Sequence, residues 1–122
     1  MRILIIDDDE DICEMLALLL EVEGHDVITA GDGVAGLEQL RADGRPSLIL
    51  LDMMMPRLDG EGFLKALRSD PNTADIPVVF LTGHPSGRAK AAQLGTLGCL
   101  VKPVELKDLM RTVQQAERQA SA

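Results

Sequence analysis

Residues 1–12, Met-Arg-Ile-Leu-Ile-Ile-Asp-Asp-Asp-Glu-Asp-Ile, contain the stretch that decides the fold. Residues 3–6 are an unbroken run of isoleucine and leucine, which is typical of a strand covered on both faces, as in a parallel sheet. The run then turns acidic at once, and it is shorter than the roughly 7–15 apolar residues of a secretion signal. We therefore expect a buried strand whose carboxyl end carries acidic side chains.

Four further segments have strand character: residues 26–30, 47–51, 78–81 and 99–101, of which the first is the most polar. Apolar residues at helical spacing follow each strand: Ile12, Met15, Leu16, Leu19 and Leu20; Val34, Leu37 and Leu40; Phe63, Leu64 and Leu67; Ala89, Ala92 and Leu94; Leu106, Leu109, Met110 and Val113. This alternation predicts an α/β, doubly wound (βα)5 fold of flavodoxin-like type, a parallel sheet in the order 2-1-3-4-5 with helices on both faces. We expect residues 1–122 to form a single domain and residues 117–122 to be a frayed tail.

Composition excludes several classes of function. Only 2% of the 122 residues are aromatic, which argues against surfaces that stack bases. The net charge of −8 repels phosphate backbones and anionic membranes. No apolar run approaches the roughly 18 residues of a membrane span. We therefore expect a cytoplasmic protein with reduced Cys13 and Cys99, without direct nucleic-acid or membrane partners.

Polar side chains follow four of the five strands. Asp7 and Asp8 follow the first strand, Asp52 the third, Thr82 the fourth and Lys102 the fifth. Ligands of open α/β sheets bind at the carboxyl ends of the strands, where the strand order reverses, so the three acids should converge there. Their mutual repulsion calls for a hard cation such as Mg²⁺. With an ammonium and a hydroxyl nearby, this is a cradle for a transferring phosphoryl group, and a carboxylate could be its nucleophile.

These same motifs carry a family resemblance. Asp7-Asp8, residues 52–60 (Asp-Met-Met-Met-Pro-Arg-Leu-Asp-Gly), Thr82-Gly83 and Lys102-Pro103 stand in this order at the strand ends. Over essentially its whole length the chain resembles the receiver domain of two-component response regulators, in the family of the chemotaxis response regulator. The resemblance implies that Asp52 accepts a phosphoryl group from the phosphohistidine of a histidine kinase or histidine phosphotransfer protein.

The resemblance also implies a metal site. Asp8 and Asp52 would bind Mg²⁺ through their side chains, and Met54 through its backbone carbonyl. Asp7 would hold a metal-bound water. These four residues, with Mg²⁺ as the cofactor, are the metal ligands that we expect.

Lys102 and Thr82 are the switch residues that the resemblance implies. Lys102 would contact the phosphoryl group, Thr82 would hydrogen-bond it, and the Lys102-Pro103 bond would be cis. The family commonly has tyrosine or phenylalanine three residues before the lysine, where this chain has Cys99. Neither phenylalanine of the chain is placed to replace that ring, so we expect signal relay to involve residues 82–87 instead.

Met54 and His84 lie two residues after Asp52 and Thr82, where side chains can modulate attack by water. Methionine is a poor hydrogen-bond partner, so we expect slow self-dephosphorylation. Simpler roles are expected for neighbouring residues. Residues 9–11 are typical of a helix start, Asp59-Gly60 of a turn and helix start, and His84 of an exposed loop residue. The three methionines 53–55 are expected to fill packing gaps rather than to bind copper.

We therefore expect a phosphorelay switch rather than an enzyme, with self-phosphorylation and self-dephosphorylation as its only chemistry. Its output would be contact with a downstream protein, since the chain shows no output domain, and phosphorylation-dependent homodimerisation stays open. One competing function is a small aspartyl-phosphate phosphatase or phosphotransferase, disfavoured because Met54 stands where such enzymes carry a second acid. Flavin binding is a third possibility, but acids stand where a flavin-binding sheet has a Ser/Thr-rich phosphate loop after the first strand. A receiver-like binding module that is never phosphorylated is a fourth, and the intact acid pair, Asp52, Thr82 and Lys102 argue against it.

Overall fold

The computed structural model describes residues 1–55 and 57–121, except for the side chains of Asp43, Ala120 and Ser121. Pro56, which belongs to the motif quoted above, and Ala122 lie outside the described residues. The elements alternate strictly along the chain. They are β1 (Arg2–Ile6), α1 (Glu10–Val22), β2 (Asp26–Ala30), α2 (Gly33–Asp43), β3 (Leu48–Asp52), α3 (Gly60–Ser69), β4 (Val78–Thr82), α4 (Gly87–Gln93), β5 (Gly98–Val101) and α5 (Leu106–Ser121).

The five strands form one parallel sheet in the order β2-β1-β3-β4-β5. The prediction of a doubly wound sheet with this strand order is confirmed. The order reverses between β1 and β3, where Ile6 pairs with Leu51. The residues that follow these two strands are therefore neighbours at the carboxyl edge. The polar segment β2 lies at an edge of the sheet, beside β1.

Alternate residues of each strand bury two separate apolar layers, which explains the unbroken apolar runs. One layer joins Ile3 and Ile5 to residues of α1 and α5. The other joins Leu4 and Ile6 to residues of α3 and α4. A fully buried side chain of this size stabilises the fold by about 1.5–3 kcal/mol. Both layers thus hold the strand ends, and the site, in a fixed arrangement.

Acidic side chains begin three of the helices. Asp9 accepts hydrogen bonds from the N–H groups of Asp11 and Ile12 in α1. Asp32 caps α2, and Asp59 caps α3. Capping of this kind satisfies backbone donors that have no partner within the helix. The predicted helix-start roles of residues 9–11 and of Asp59 are confirmed.

Two details of the helices differ from expectation. The predicted frayed tail over 117–122 is wrong as far as the described residues reach, because α5 continues to Ser121. Ala116 is fully buried, which anchors this part of the helix, and the residues after it are mostly good helix formers. In α1, Met15 is 43% exposed, and Cys13 is buried instead. The spacing of apolar residues in α1 does not distinguish a buried face that includes Met15 from one that includes Cys13.

Within the described ranges, the helices lack an apolar stretch of the length needed to cross a bilayer.

Candidate functional site

The four polar strand ends lie where the sequence places them. Asp7 directly follows β1, Asp52 ends β3, Thr82 ends β4 and Lys102 directly follows β5. The odd residues of β1 and the even residues of β3 face the layer packed by α1 and α5, so Asp7 and Asp52 continue that side. The backbone of Lys102 donates to the carbonyl of Thr82 at 2.7 Å, which ties the ends of β4 and β5 together.

Three carboxylates meet at this edge. One oxygen from each of Asp7, Asp8 and Asp52 lies within 4.8 Å of the others. Asp7 is 1% and Asp52 6% exposed, whereas Asp8 is exposed. The predicted convergence of these acids is thus seen in the geometry. Burying two carboxylates side by side is costly unless cations compensate them.

Lys102 supplies part of that compensation. Its Nζ lies 2.8 Å from Asp7 Oδ2 and 3.5 Å from Asp52 Oδ1. Burial on its own would lower the pKa of the ammonium group. The ion pair with Asp7 and the charge of Asp52 outweigh that effect, so the pKa of Lys102 lies above its ordinary value. Lys102 therefore stays charged at neutral pH.

The pKa of the Asp52 carboxyl group is raised. Burial, and then the negative charge of Asp7, raise its pKa from 3.8 to about 6, although Lys102 acts in the opposite direction. The backbone N–H of Met54 donates to Asp52 Oδ1 at 3.3 Å. The carboxylate is thus ionised at neutral pH but more basic than an ordinary aspartate, which suits a nucleophile.

The donor set fits a hard divalent cation. Asp7 Oδ1 accepts a hydrogen bond from the N–H of Asp9. Its buried Oδ2 has the Lys102 charge nearby but no partner in hydrogen-bonding geometry. Two buried carboxylates, one of which has this unsatisfied oxygen, and an exposed third supply the hard oxygen ligands that Mg²⁺ prefers. The same arrangement does not suit soft metals.

Thr82 is turned into its own loop. Its hydroxyl accepts a hydrogen bond from the N–H of His84 at 3.2 Å and donates one to the His84 carbonyl at 3.3 Å. His84 is exposed, and its Nδ1 bonds Ser86 rather than the carboxylates. The expectation of an exposed loop histidine is therefore confirmed. A Cβ added to Gly87, the first residue of α4, would lie 2.7 Å from Thr82 Cγ2, so α4 packs tightly against the threonine.

The segment after Asp52 leads out into solvent. Met54 is 78% exposed, whereas Met53 and Met55 are partly buried against the layer packed by α3 and α4. The segment returns where the N–H of Gly60 donates to the Met53 carbonyl. A Cβ on Gly60 would lie 2.6 Å from the Asp52 carbonyl oxygen, so only glycine fits there. The Lys102-Pro103 bond is cis, as expected.

Both cysteines are free thiols, as expected. Cys13 is buried in α1, where burial and then the charge of Asp7 raise its pKa to about 11. Cys99 is half-buried against the opposite layer and pairs in register with Phe80. Phe80 is fully buried in the core. It therefore cannot replace the aromatic ring that the family commonly has at the position of Cys99.

Sequence reasoning missed three contributors to the site. Gly60 was expected only as part of a turn and helix start, and Gly87 only as part of the segment 82–87, so their close approach to Asp52 and Thr82 was missed. Their position at the first turn of a helix, directly after the site loops, was the available signal. The ion pair between Arg57 and Asp32 was also missed, since no local pattern links residues so far apart in the chain.

Comparison with known proteins identifies the family. Residues 3–114 match the family model described as "Response regulator receiver domain". The chain is 39% identical over 115 residues to the "DNA-binding dual master transcriptional regulator RpaA" of Synechocystis, covering 93% of this chain and 47% of that protein. It is 40% identical over 112 residues to "Response regulator MprA" of Mycobacterium avium, covering 90% and 48%. The chain thus spans about half the length of these relatives.

Solved structures agree. A putative response regulator from Chloroflexus aurantiacus superposes with a TM-score of 0.87 at 32% identity, covering 94% of this chain and 95% of that one. The chemotaxis protein CheY4 of Vibrio cholerae gives 0.85 at 31% identity, covering 94% and 97%. These similarities do not favour a phosphatase, a flavin-binding protein or a module that is never phosphorylated.

Receiver domains are phosphorylation-dependent signalling switches that are generally Mg²⁺-dependent and generally not catalytic enzymes, and response regulators work with histidine kinases. Three observations point to this family: the strand order, the acidic cluster where that order reverses, and the family match over residues 3–114. The chain therefore belongs to the receiver domains of two-component response regulators.

Proposed function

We propose that Asp52 is the phosphorylated residue of this receiver domain, and that its donor is a phosphohistidine on a histidine kinase or histidine phosphotransfer protein. The observation that carries the proposal is the placement of a buried carboxylate of raised pKa, 3.5 Å from the ammonium group of Lys102. Asp52 combines the nucleophile with a charge partner at the edge where ligands of such sheets bind.

The chemical step follows from these groups. An Asp52 carboxylate oxygen attacks the phosphorus, forming a P–O bond while the P–N bond to the imidazole breaks. The electron pair of that bond stays with the imidazole nitrogen, which takes up a proton. Lys102 offsets the charge gathered on the phosphoryl oxygens, as preorganised cations do in phosphoryl transfer. Hydrolysis later returns the carboxylate and inorganic phosphate.

Asp7, Asp8 and Asp52, with the Met54 backbone carbonyl, are the residues that would hold Mg²⁺. When bound, the ion would neutralise charge on the carboxylates and on the transferring group. The buried Asp7 Oδ2 without a hydrogen-bond partner supports this assignment. Asp7 would act through a bound water, in keeping with the retained waters of Mg²⁺ sites.

Thr82 would report the modification. Its hydroxyl now donates to the His84 carbonyl, so donating to a phosphoryl group instead requires it to give up that bond. That movement would rearrange residues 82–87, which lead into α4. With Cys99 in place of a ring, the loop itself would carry the signal to the partner that reads it.

The output is proposed to be contact with a downstream protein by residues 1–122 acting as one receiver domain. Its charge of −8 argues against direct contact of this domain with nucleic acid, although RpaA as a whole is described as DNA-binding. Phosphorylation-dependent pairing of two copies is a further proposal, carried over from the resemblance.

The test uses a small phosphodonor such as acetyl phosphate with Mg²⁺, read by intact mass. The unmodified chain should gain one phosphoryl group, and Asp52→Asn should gain none. Asp59→Asn is the matched control, because Asp59 caps α3 and is exposed, and it should still be modified. Absence of any adduct on folded, Mg²⁺-supplied protein would overturn the proposal.

A further inference from the structure

The described residues between Asp52 and α3, residues 53–55 and 57–59, form a loop that is tied to a second part of the fold. Arg57 places its Nε 2.8 Å and its Nη2 2.5 Å from the same oxygen, Asp32 Oδ2. The other oxygen of Asp32 accepts a hydrogen bond from the N–H of Ala35 at 2.8 Å and so caps α2. One carboxylate therefore both begins α2 and holds the loop that follows the phosphorylated strand.

The backbone of Arg57 has an unfavourable conformation that other contacts must stabilise. Its φ of 67° is in the left-handed region, which is unfavourable for any residue with a side chain. Next to it, the loop packs directly on the start of α2. A Cβ added to Gly33 would lie 2.7 Å from the Leu58 carbonyl oxygen. The loop is thus fitted closely to α2 in a conformation that Arg57 does not favour by itself.

Few other side-chain hydrogen bonds hold this loop, although Met53, Met55 and Leu58 also pack against the layer of α3 and α4. Among its described residues, Arg57 is the one whose side chain hydrogen-bonds outside the loop and α3, since Asp59 bonds only to the first turn of α3. Met54, whose carbonyl is the proposed metal ligand, lies at the exposed part of the loop. Its own N–H bonds the Asp52 carboxylate at 3.3 Å, so movement of the loop would disturb both metal-binding residues.

We propose that the Arg57–Asp32 ion pair holds the described part of this loop, Met54 included, in the conformation that binds the metal, which makes Arg57 a positioning residue for Mg²⁺ and phosphoryl transfer. This inference rests on the proposed function. Arg57 touches neither the acidic cluster nor the reacting atoms. It acts by lowering the number of conformations available to the Met54 carbonyl, and so reduces the ordering that metal binding requires.

The test measures Mg²⁺ binding by titration calorimetry, because the chain contains no Trp or Tyr whose fluorescence could report it. Arg57→Ala should weaken Mg²⁺ binding about three- to fivefold, as loss of an exposed ion pair does. Arg57→Lys keeps a cation and should recover most of the affinity. In the metal-free protein, the Gly60 N–H, which bonds the Met53 carbonyl, should exchange with solvent severalfold faster in Arg57→Ala.

Two further variants separate the ion pair from general stability. Arg45→Ala breaks the exposed ion pair with Asp75. Both residues precede the amino ends of β3 and β4, away from the site, so this variant should leave Mg²⁺ affinity unchanged. Arg57→Gly removes the left-handed backbone cost together with the side chain. It should stabilise the fold relative to Arg57→Ala but bind Mg²⁺ no better.

Equal Mg²⁺ affinity and equal Gly60 exchange in Arg57→Ala and the unmodified chain would overturn the inference while leaving the proposed function intact. Recovery of full affinity by Arg57→Gly would also overturn it, since backbone shape rather than the ion pair would then control the loop. If the unmodified chain neither binds Mg²⁺ nor accepts a phosphoryl group, the proposed function fails and takes this inference with it.

Discussion

Replacing Asp52 with asparagine should stabilise the metal-free protein, even though it removes the proposed phosphorylation site. The carboxylate is buried, and it lies beside the buried carboxylate of Asp7. Its pKa is raised to about 6 because the folded structure disfavours its charged form. Asparagine keeps the shape of the side chain and removes that charge.

The raised pKa sets the size of the effect. A rise from 3.8 to about 6 corresponds to an upper limit of about 3 kcal/mol, at about 1.4 kcal/mol for each pKa unit. Burial of the asparagine amide offsets part of this. We therefore expect a gain of about 1–2 kcal/mol at pH 7.5. For a domain of this size the melting temperature should then rise by about 4–8 °C.

The pH dependence gives the sharper signature. Between pH 3.8 and about 6 the folded chain holds a proton on Asp52 that the unfolded chain has lost. The free energy of unfolding therefore falls as pH rises through this window, and the penalty is complete above it. Asp52→Asn should be no more stable than the unmodified chain at about pH 4, gain relative stability up to about pH 6 and keep that gain at higher pH.

Thermal melts followed by circular dichroism, in buffer with a chelator, measure this difference. Glu38→Gln is the matched control, because it removes one negative charge from an exposed helical position and should change the melting temperature little. If Asp52→Asn is no more stable than the unmodified chain at pH 7.5, or if its advantage does not depend on pH, the electrostatic account of Asp52 is wrong.

Three further predictions concern the groups around Asp52. Lys102→Met removes the ammonium group 2.8 Å from Asp7 Oδ2 and should destabilise the metal-free protein by about 1–3 kcal/mol in urea unfolding; unchanged midpoints would contradict this. Gly87→Ala brings a methyl group against Thr82 and should cost about 1–3 kcal/mol while shifting the Thr82 methyl resonance, so an unshifted resonance would count against tight packing there. Met54→Asn places a polar side chain beside the site and should speed loss of the phosphoryl group on the order of threefold to tenfold; an unchanged decay rate would refute a role for this position.

The sheet and the acidic cluster could be predicted because they follow from short-range patterns. An unbroken apolar run such as residues 3–6 requires cover on both faces, and the alternation with helices requires parallel strands. Once the strands are parallel, their carboxyl ends share one edge, so Asp7, Asp52, Thr82 and Lys102 must be neighbours. The chemistry of the acids and the ammonium then follows from their proximity.

The parts that could not be predicted depend on side-chain positions and loop paths. The pairing of Arg57 with Asp32 joins residues 25 positions apart and depends on how the loop leaves the sheet. The closeness of Gly87 to Thr82 depends on where α4 begins, and spacing does not determine this. The end of α5 was misjudged because burial of Ala116 is a tertiary effect, and the residues around it are polar or alanine, without a large apolar side chain.

The central claim is that Asp52, and none of the neighbouring acids, carries the phosphoryl group. The most direct measurement locates it: the phosphorylated chain is reduced with borohydride, which converts an acyl phosphate to an alcohol, and the peptides are sequenced by mass spectrometry. We predict the reduced residue at position 52 alone, formed only when Mg²⁺ is present. A reduced residue at Asp7, Asp8 or Asp59, or none in a chain whose mass shows a stable adduct, would contradict the account.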